Sequence, residues 1–242
     1  MNHDNTITLL HLYGDTLDLY GDAFNLTCIR RRLEQLGQPC RVVCANLGES
    51  FDPLDAQLIY LGHGKARNLA AVAPHFCTYG PRMQEAVEAG RLVLATGNSR
   101  LLFGRSFQTP DGGTQPGIGL FDYTGVETGQ VFTGDVVAHP VFDPQLTSYG
   151  FVNRTAHLVG ENPSPLFRVV QGPGDGAQPD GAEGTLYRNF FGTWQMGPLL
   201  ARNPGFLREI LRRLLGPEAA LDYDDALEQK ALELTLKEFK LT

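Results

Sequence analysis

The sequence predicts an α/β protein in which a mostly parallel sheet is flanked by helices. Short apolar runs alternate with amphipathic helical segments through the N-terminal part of the chain, and a glycine or polar turn follows each run. Strands that alternate with helices indicate parallel βαβ units. A later region of short β-type runs predicts additional strands in the second half.

The elements follow from hydrophobic periodicity and from turn residues. A glycine after an apolar helical period marks the end of a helix, as Gly37 does for the first one. The predicted strands of this part are 7–13, 41–45, 57–61 and a run that starts at Leu92, and the predicted helices are 24–36 and 79–89.

The second half begins with short β-type runs between residues 117 and 194, separated by glycine, proline and aspartate. Residues 172–181 predict a surface loop, and residues 186–194 predict a strand. A helix is expected from Pro198 to residue 215, because proline suits the first turn of a helix. A charged amphipathic helix, 224–239, closes the chain. We expect one domain, 1–242, with a C-terminal helical extension at about 222–240.

Composition excludes several classes of function. The chain has 242 residues, 42% of them hydrophobic, and a formal net charge of -7. That charge argues against a nucleic-acid partner, which needs clustered Lys and Arg. No apolar run reaches the roughly 18 residues of a membrane span, and no signal peptide is evident. We therefore expect a cytoplasmic protein.

The four cysteines show no metal-binding spacing. Cys28, Cys40, Cys44 and Cys77 contain no CxxC pair, and in a reducing compartment they are most simply buried thiols. A metal site needs more ligands than Cys40 and Cys44 supply. Neither a metal nor a cofactor is expected.

Residues 91–104, RLVLATGNSRLLFG, predict a buried strand, a sharp turn and a helix. In hydrolases such a turn often exposes the attacking Ser or Cys. Here the turn carries Thr96, which we expect to be exposed there. In parallel sheets, ligands bind beyond the carboxyl ends of the strands, so Asp22, the Gly62-His63-Gly64 turn and Thr96 should converge on one crevice.

Several segments of the chain match known sequences in one order. They are LDLYGD at 17–22, GHG at 62–64, GIGLFDY at 117–123, GFVNRT at 150–155, EGTLYRN at 183–189 and GTWQMGPLL at 192–200. In this order they resemble the type 1, cobyric-acid-synthase-like glutamine amidotransferases, and within that family they are most similar to the glutaminase subunits of lipid II isoglutaminyl synthases. The resemblance implies a flavodoxin-like fold and a Mur-ligase-like partner subunit, in a heterodimer that amidates a peptidoglycan precursor.

The same resemblance implies that the reacting side chains are replaced. A Cys-Gly-Gly turn carries the family's nucleophile and a His-Gly-Pro turn carries its base, and the resemblance puts Thr96 and Met196 at those positions. Asp22 lies where an acidic residue near the active site is expected, although it also fits an ordinary turn or cap aspartate. The residues expected to contact glutamine or a related small molecule are Gly62, His63, Gly64, Gly97, Asn98 and Arg154.

Three functions follow from these residues. The first is a catalytically degenerate subunit that binds a ligase-like partner through the surface around residues 192–200 and through the closing helix. The second is an amidohydrolase or amidotransferase that uses non-standard residues, Thr96, His63 or a residue of the partner. The third is a small-molecule sensor in which Thr96 and Asn98 bind a ligand without reacting. For His63, a structural loop histidine is the alternative.

Overall fold

The computed structural model describes residues 6–176 and 181–239. Twelve strands are assigned within these residues, and they form two sheets of six. The strands are β1 (Ile7–Leu12), β2 (Cys40–Ala45), β3 (Leu58–Leu61), β4 (Leu92–Thr96), β5 (Ser106–Gln108), β6 (Thr114–Pro116), β7 (Tyr123–Pro140), β8 (Ser148–Gly160), β9 (Phe167–Gln171), β10 (Ala182–Glu183), β11 (Thr185–Tyr187) and β12 (Phe190–Thr193).

The α-helices of the described residues connect or follow these strands. They are α1 (Phe24–Gln35), α2 (Ala66–Thr78), α3 (Gly80–Glu88), α4 (Leu199–Arg202), α5 (Pro204–Leu215) and α6 (Ala226–Glu238). A short 3-10 helix, Gly97–Phe103, follows β4 where the sequence predicts an ordinary helix.

The first sheet has the strand order β11-β12-β4-β3-β1-β2. All neighbours in it are parallel except the β11–β12 pair, which is antiparallel. Every residue of β1, β3 and β4 is buried, because helices cover both faces of such a sheet. The predicted mostly parallel α/β sheet is confirmed.

The second sheet is built around a long antiparallel pair, β7 with β8. These strands have 18 and 13 residues, so the expectation of short runs between 117 and 194 is wrong for this pair. A register shift between Glu127 and Phe132 interrupts the pair, as a β-bulge does. Glycines in the long strands led to the prediction of separate short ones.

Two predicted elements divide where the backbone leaves regular geometry. The strand expected at 186–194 is the β11–β12 hairpin, with Arg188 at φ 53 in the turn. The helix expected from Pro198 to residue 215 is α4 followed by α5. Asn203 separates them with φ -128 and ψ 78, and Pro204 opens the second helix. A residue before proline is disfavoured in helical geometry, which explains the break.

The cysteines differ from the expectation of buried thiols. Cys44 is exposed, and Cys28, Cys40 and Cys77 are half-buried. The reason for Cys40 and Cys44 is that β2 is an edge strand whose residues are mostly exposed.

One hydrophobic cluster includes residues from both sheets and from the helices around them. None of the helices in the described part of the chain is long and apolar enough to span a membrane. Of the predicted loop 172–181, residues 177–180 lie outside the described residues.

Candidate functional site

The candidate site lies where β1, β3 and β4 end, at one edge of the parallel sheet. Asp22 follows β1, His63 follows β3, and Gly97 follows β4. The structure brings these three positions into contact, because the carboxyl ends of neighbouring parallel strands meet at the same edge.

Asp22 is the centre of a fully buried hydrogen-bond network. One carboxylate oxygen accepts the Thr96 hydroxyl and also the His63 backbone N–H at 3.0 Å, and the other accepts the Gly197 N–H at 3.0 Å. Burial raises the pKa of the Asp22 carboxyl above its ordinary value, and the hydrogen bonds it accepts oppose that shift. The carboxylate therefore joins three segments that are far apart in sequence.

Tyr60 and Asn25 complete this network. The Tyr60 hydroxyl donates to the Asp22 carbonyl at 2.7 Å and lies 3.1 Å from the Thr96 hydroxyl. The Asn25 amide donates to the same carbonyl at 2.9 Å, and its oxygen accepts the Leu200 N–H at 2.8 Å. Both residues lie in elements predicted from apolar patterning, and that patterning carries no signal for this polar role.

Thr96 is not exposed at the turn, so that part of the sequence prediction is wrong. It is the last residue of β4, with φ -105 and ψ 147, and its side chain is fully buried. The hydroxyl points at Asp22 and not into a crevice. The residue after it, Gly97, has φ 61 and begins the 3-10 helix.

His63 lies directly against Gly97. Its Nδ1 accepts the backbone N–H of Asn98 at 3.0 Å, which places the ring proton of the neutral form on Nε2. Its ring stacks on Tyr20, with ring planes 10° apart. Burial lowers the pKa of the imidazole to about 4. His63 is therefore neutral near pH 7.

Met196 is also buried, with 1% of its surface exposed. Its backbone pairs with Phe151, and its N–H donates to the Phe151 carbonyl at 3.0 Å. A thioether has no proton to exchange at physiological pH, so this side chain cannot serve as a general base.

A cavity of about 240 Å³ lies beside these residues. His63, Gly64, Asn98 and Arg154 line it, whereas Gly62, Gly97, Thr96 and Met196 do not. Further residues line it that the sequence did not single out as site residues, although Tyr20, Asn153, Thr155 and Trp194 lie within the family-like segments. The further lining residues are Tyr20, Lys65, Gln108, Glu127, Asn153, Thr155 and Trp194.

The Arg154 guanidinium makes hydrogen bonds and a ring contact within the protein. It donates to the carbonyls of Ala156, Gly174 at 2.6 Å and Gly176 at 2.9 Å, and it lies over the Phe132 ring at 4.3 Å. These contacts hold the loop after β9 against β8. Arg154 therefore supports the cavity wall.

In the ranges 6–176 and 181–239, no three His, Cys, Asp or Glu side chains are grouped as metal ligands would be.

Comparison with known proteins places this architecture in a family. The model of the CobB/CobQ-like glutamine amidotransferase domain matches residues 8–204. A lipid II isoglutaminyl synthase (glutamine-hydrolyzing) subunit GatD from Streptococcus pneumoniae is 28% identical over 239 residues, which are 96% of this chain and 91% of that protein. The subunit of the same name from Staphylococcus aureus is 31% identical over 201 residues, 81% of this chain and 79% of that protein.

A solved structure supports the fold. A crystal structure of a glutamine amidotransferase superposes with a TM-score of 0.53 at 13% identity, covering 85% of this chain and 98% of that one. The family match extends over most of the chain, from β1 to the start of α5. The chain therefore belongs to the CobB/CobQ-like glutamine amidotransferase family.

Proposed function

We propose that this chain is a catalytically degenerate glutamine amidotransferase-like subunit that pairs with a Mur-ligase-like protein in the amidation of a cell-wall precursor. Two relatives that match most of the chain are named as glutamine-hydrolyzing subunits of lipid II isoglutaminyl synthase. Their names support the pathway. The degeneracy is supported by the chemistry of the crevice.

The observation that carries the proposal is the state of the residues expected to react. The Thr96 hydroxyl is fully buried and donates to Asp22. A threonine hydroxyl attacks a carbonyl only when a positioned base takes its proton and its oxygen can reach the substrate. Met196 cannot be that base, and although Asp22 accepts the Thr96 proton, both residues are fully buried and neither lines the cavity. The nearby imidazole, His63, has a pKa of about 4, which makes it a poor proton acceptor at pH 7.

The structure changes the surface that we assign to the partner. Residues 192–200, expected to be an interface, are almost entirely buried, because β12 lies inside the sheet and α4 packs on α1. In contrast, α6 has no buried residue, and its Leu227 and Leu234 are 80% and 54% exposed. We therefore assign the partner surface to α6 alone.

Ammonia release from glutamine tests the degeneracy. The purified chain, alone or co-expressed with a Mur-ligase-like protein, is expected to release no ammonia above the buffer rate. Thr96→Ala and the wild type should then be indistinguishable. Glutamine-dependent release that disappears in Thr96→Ala would instead establish the enzyme with altered chemistry.

A second function, amino-acid binding without hydrolysis, is favoured by the charges of the cavity. Lys65 and Glu127 both line it, and among the described residues neither side chain has an ion-pair or hydrogen-bond partner. Ala66, the first residue of α2, lies at the same wall, and a helix N-terminus favours a carboxylate. An unpaired cation and an unpaired anion suit a zwitterion such as a free α-amino acid.

Calorimetric titration with L-glutamine and L-glutamate tests this second function. We expect binding of at least one of them, weakened about tenfold or more by Lys65→Met and by Glu127→Gln, because each variant removes one charge-assisted contact. Lys237→Met on α6 is the matched control and should bind like the wild type. Absence of binding to both amino acids in the wild type would reject the amino-acid site while leaving the degenerate subunit in place.

A further inference from the structure

We propose that Gly97, and not Thr96, is the position at which this fold would present a nucleophile, and that the His63 imidazole occupies the space of the missing side chain. This proposal rests on the degenerate function proposed above. It assigns to His63 the role of an internal plug, defined here as the side chain that fills the vacant position.

The backbone identifies the position. In a nucleophile elbow, the reacting residue sits on a sharp, strained turn between a strand and a helix. Thr96 is still in extended geometry and pairs with Thr193 in the parallel ladder of β4 and β12. Gly97 is the first residue past the strand and has φ 61. Since successive strand residues face opposite sides, the one-residue difference decides which side chain can reach the crevice.

The space at Gly97 is already filled. A Cβ atom built on Gly97 would lie 2.2 Å from Nδ1, 2.5 Å from Cγ and 2.6 Å from Cβ of His63. Contacts this short cannot be relieved by moving only the tip of a flexible side chain, because they include the root of the imidazole. His63 and any side chain at position 97 are therefore mutually exclusive in this backbone.

The imidazole of His63 also accepts a hydrogen bond from a backbone N–H group that catalysis would need as an oxyanion donor. In the elbow arrangement, the N–H of the residue after the nucleophile helps to form the oxyanion hole. Here that residue is Asn98, and its N–H donates to His63 Nδ1 at 3.0 Å. The Asn98 side chain is fixed as well, since it exchanges two hydrogen bonds with the Gly64 backbone at 3.0 and 2.7 Å.

One residue thus accounts for two losses. His63 fills the volume of the nucleophile and takes the hydrogen bond of the oxyanion donor. A thiol introduced at position 97 alone would collide with the imidazole. A base introduced alone at position 196 would find neither a nucleophile nor a free Asn98 N–H. Any substitution meant to restore a nucleophile at position 97 therefore also requires the removal of the His63 imidazole.

A double-mutant cycle in thermal stability tests the plug. Gly97→Cys in the wild-type background is expected to lower the Tm by roughly 3–10 °C, because it overpacks a filled site. In the His63→Gly background the same substitution should lower the Tm by much less, since the imidazole is absent. The strain of a side chain at positive φ is present on both sides of the cycle and cancels. An equal decrease in Tm on Gly97→Cys in the two backgrounds would overturn the proposal.

Thiol chemistry gives a second readout that does not depend on catalysis. With iodoacetamide, followed by peptide mass mapping, the thiol of His63→Gly/Gly97→Cys should be alkylated about tenfold or more faster than that of Thr96→Cys. A side chain at position 97 would enter the space beside the cavity that His63 leaves, whereas the side chain of residue 96 is fully buried. Thr96→Cys is the matched control, one residue away on the same strand end. Faster alkylation at position 96 would reverse the assignment.

The cycle remains decisive if Gly97→Cys fails to fold. A folded double variant is then itself the rescue that the plug predicts, and Gly97→Ala in both backgrounds repeats the cycle with a single added carbon. These measurements are separate from the test of the proposed function. Glutamine hydrolysis by the wild-type chain would overturn the degenerate function, whereas additivity of the two substitutions would overturn the plug alone.

Discussion

At Asp22, one buried carboxylate accepts a side-chain hydroxyl from β4 and backbone N–H groups from the turns after β3 and β12. Buried donors without an acceptor cost about 1–3 kcal/mol each, so the carboxylate stabilises all three turns at once. Its position in the family's crevice does not require a catalytic role. Its contacts are those of a structural residue that holds the three turns together.

Removal of this acceptor should destabilise the protein strongly. Asp22→Ala is expected to lower the free energy of unfolding by about 3–5 kcal/mol, because it leaves several buried donors unpaired. Thr96→Val removes only one of those donors and should cost about 1–2 kcal/mol. Urea unfolding followed by the fluorescence of the single tryptophan, Trp194, measures both. A cost for Thr96→Val equal to that of Asp22→Ala would contradict this account.

His63 predicts a pH dependence of a definite sign. Its pKa is lowered from 6.5 to about 4 by burial, so the unfolded chain binds more protons than the folded chain between these values. Its contribution to stability is therefore present above pH 6.5 and is lost as the pH falls towards 4, by up to about 3 kcal/mol.

The variant His63→Asn isolates this effect, because its side-chain oxygen can replace Nδ1 as the acceptor for the Asn98 N–H. Unfolding free energies measured from pH 7.5 to 4 should fall less steeply in the variant than in the wild type. Asp22, whose pKa is raised, acts in the opposite direction and is common to both proteins. Parallel profiles for the two proteins would show that the His63 pKa is not lowered in the folded state.

At the scale of elements, the strands of the first sheet could be predicted because they are buried on both faces and read as continuous apolar runs. The crevice could be predicted in outline, since the strand ends of a parallel sheet converge. The position that we propose for a nucleophile could not be predicted. With no cysteine in the turn, the sequence offers no residue to fix the register, and a shift of one residue exchanges the buried Thr96 for Gly97.

The placement of the loop after β9 was harder to predict because it depends on contacts distant in sequence. One such contact is the Arg100 guanidinium, which is fully buried and binds both carboxylate oxygens of Asp175. It also donates to Thr185 at 2.8 Å. This ion pair joins the 3-10 helix after β4 to the loop that follows β9. No local sequence pattern predicts it.

Disruption of this ion pair should cost far more than disruption of an exposed one. Asp175→Ala leaves the Arg100 charge buried with only part of its partners, and should lower the free energy of unfolding by about 3–5 kcal/mol. The control is Asp122→Ala, which breaks the exposed ion pair with Arg105 and should cost less than about 1 kcal/mol. Urea unfolding compares the two. A similar small cost at both sites would show that Arg100 finds other partners.

At the scale of the whole molecule, the chain has the fold of the CobB/CobQ-like glutamine amidotransferase family, and we propose that its crevice lacks the reactive pair. The degenerate function proposed above rests on the buried Thr96 hydroxyl, the Met196 thioether and the neutral His63 imidazole. A Mur-ligase-like partner would then receive no ammonia from this subunit. The function proposed here must therefore separate amidation from glutamine hydrolysis.

The ammonia source of the assembled complex tests that separation. With a Mur-ligase-like partner, its acceptor and ATP, we expect amidation to proceed with an ammonium salt and to be unchanged by added glutamine. The rate should rise with pH at constant total ammonium, since unprotonated ammonia is the nucleophile. A variant of this chain carrying Thr96→Ala and Met196→Ala should support the same ammonium-dependent rate when it is folded. Amidation that requires glutamine, and that this double variant abolishes, would show that the crevice is a working glutaminase despite the geometry of its residues.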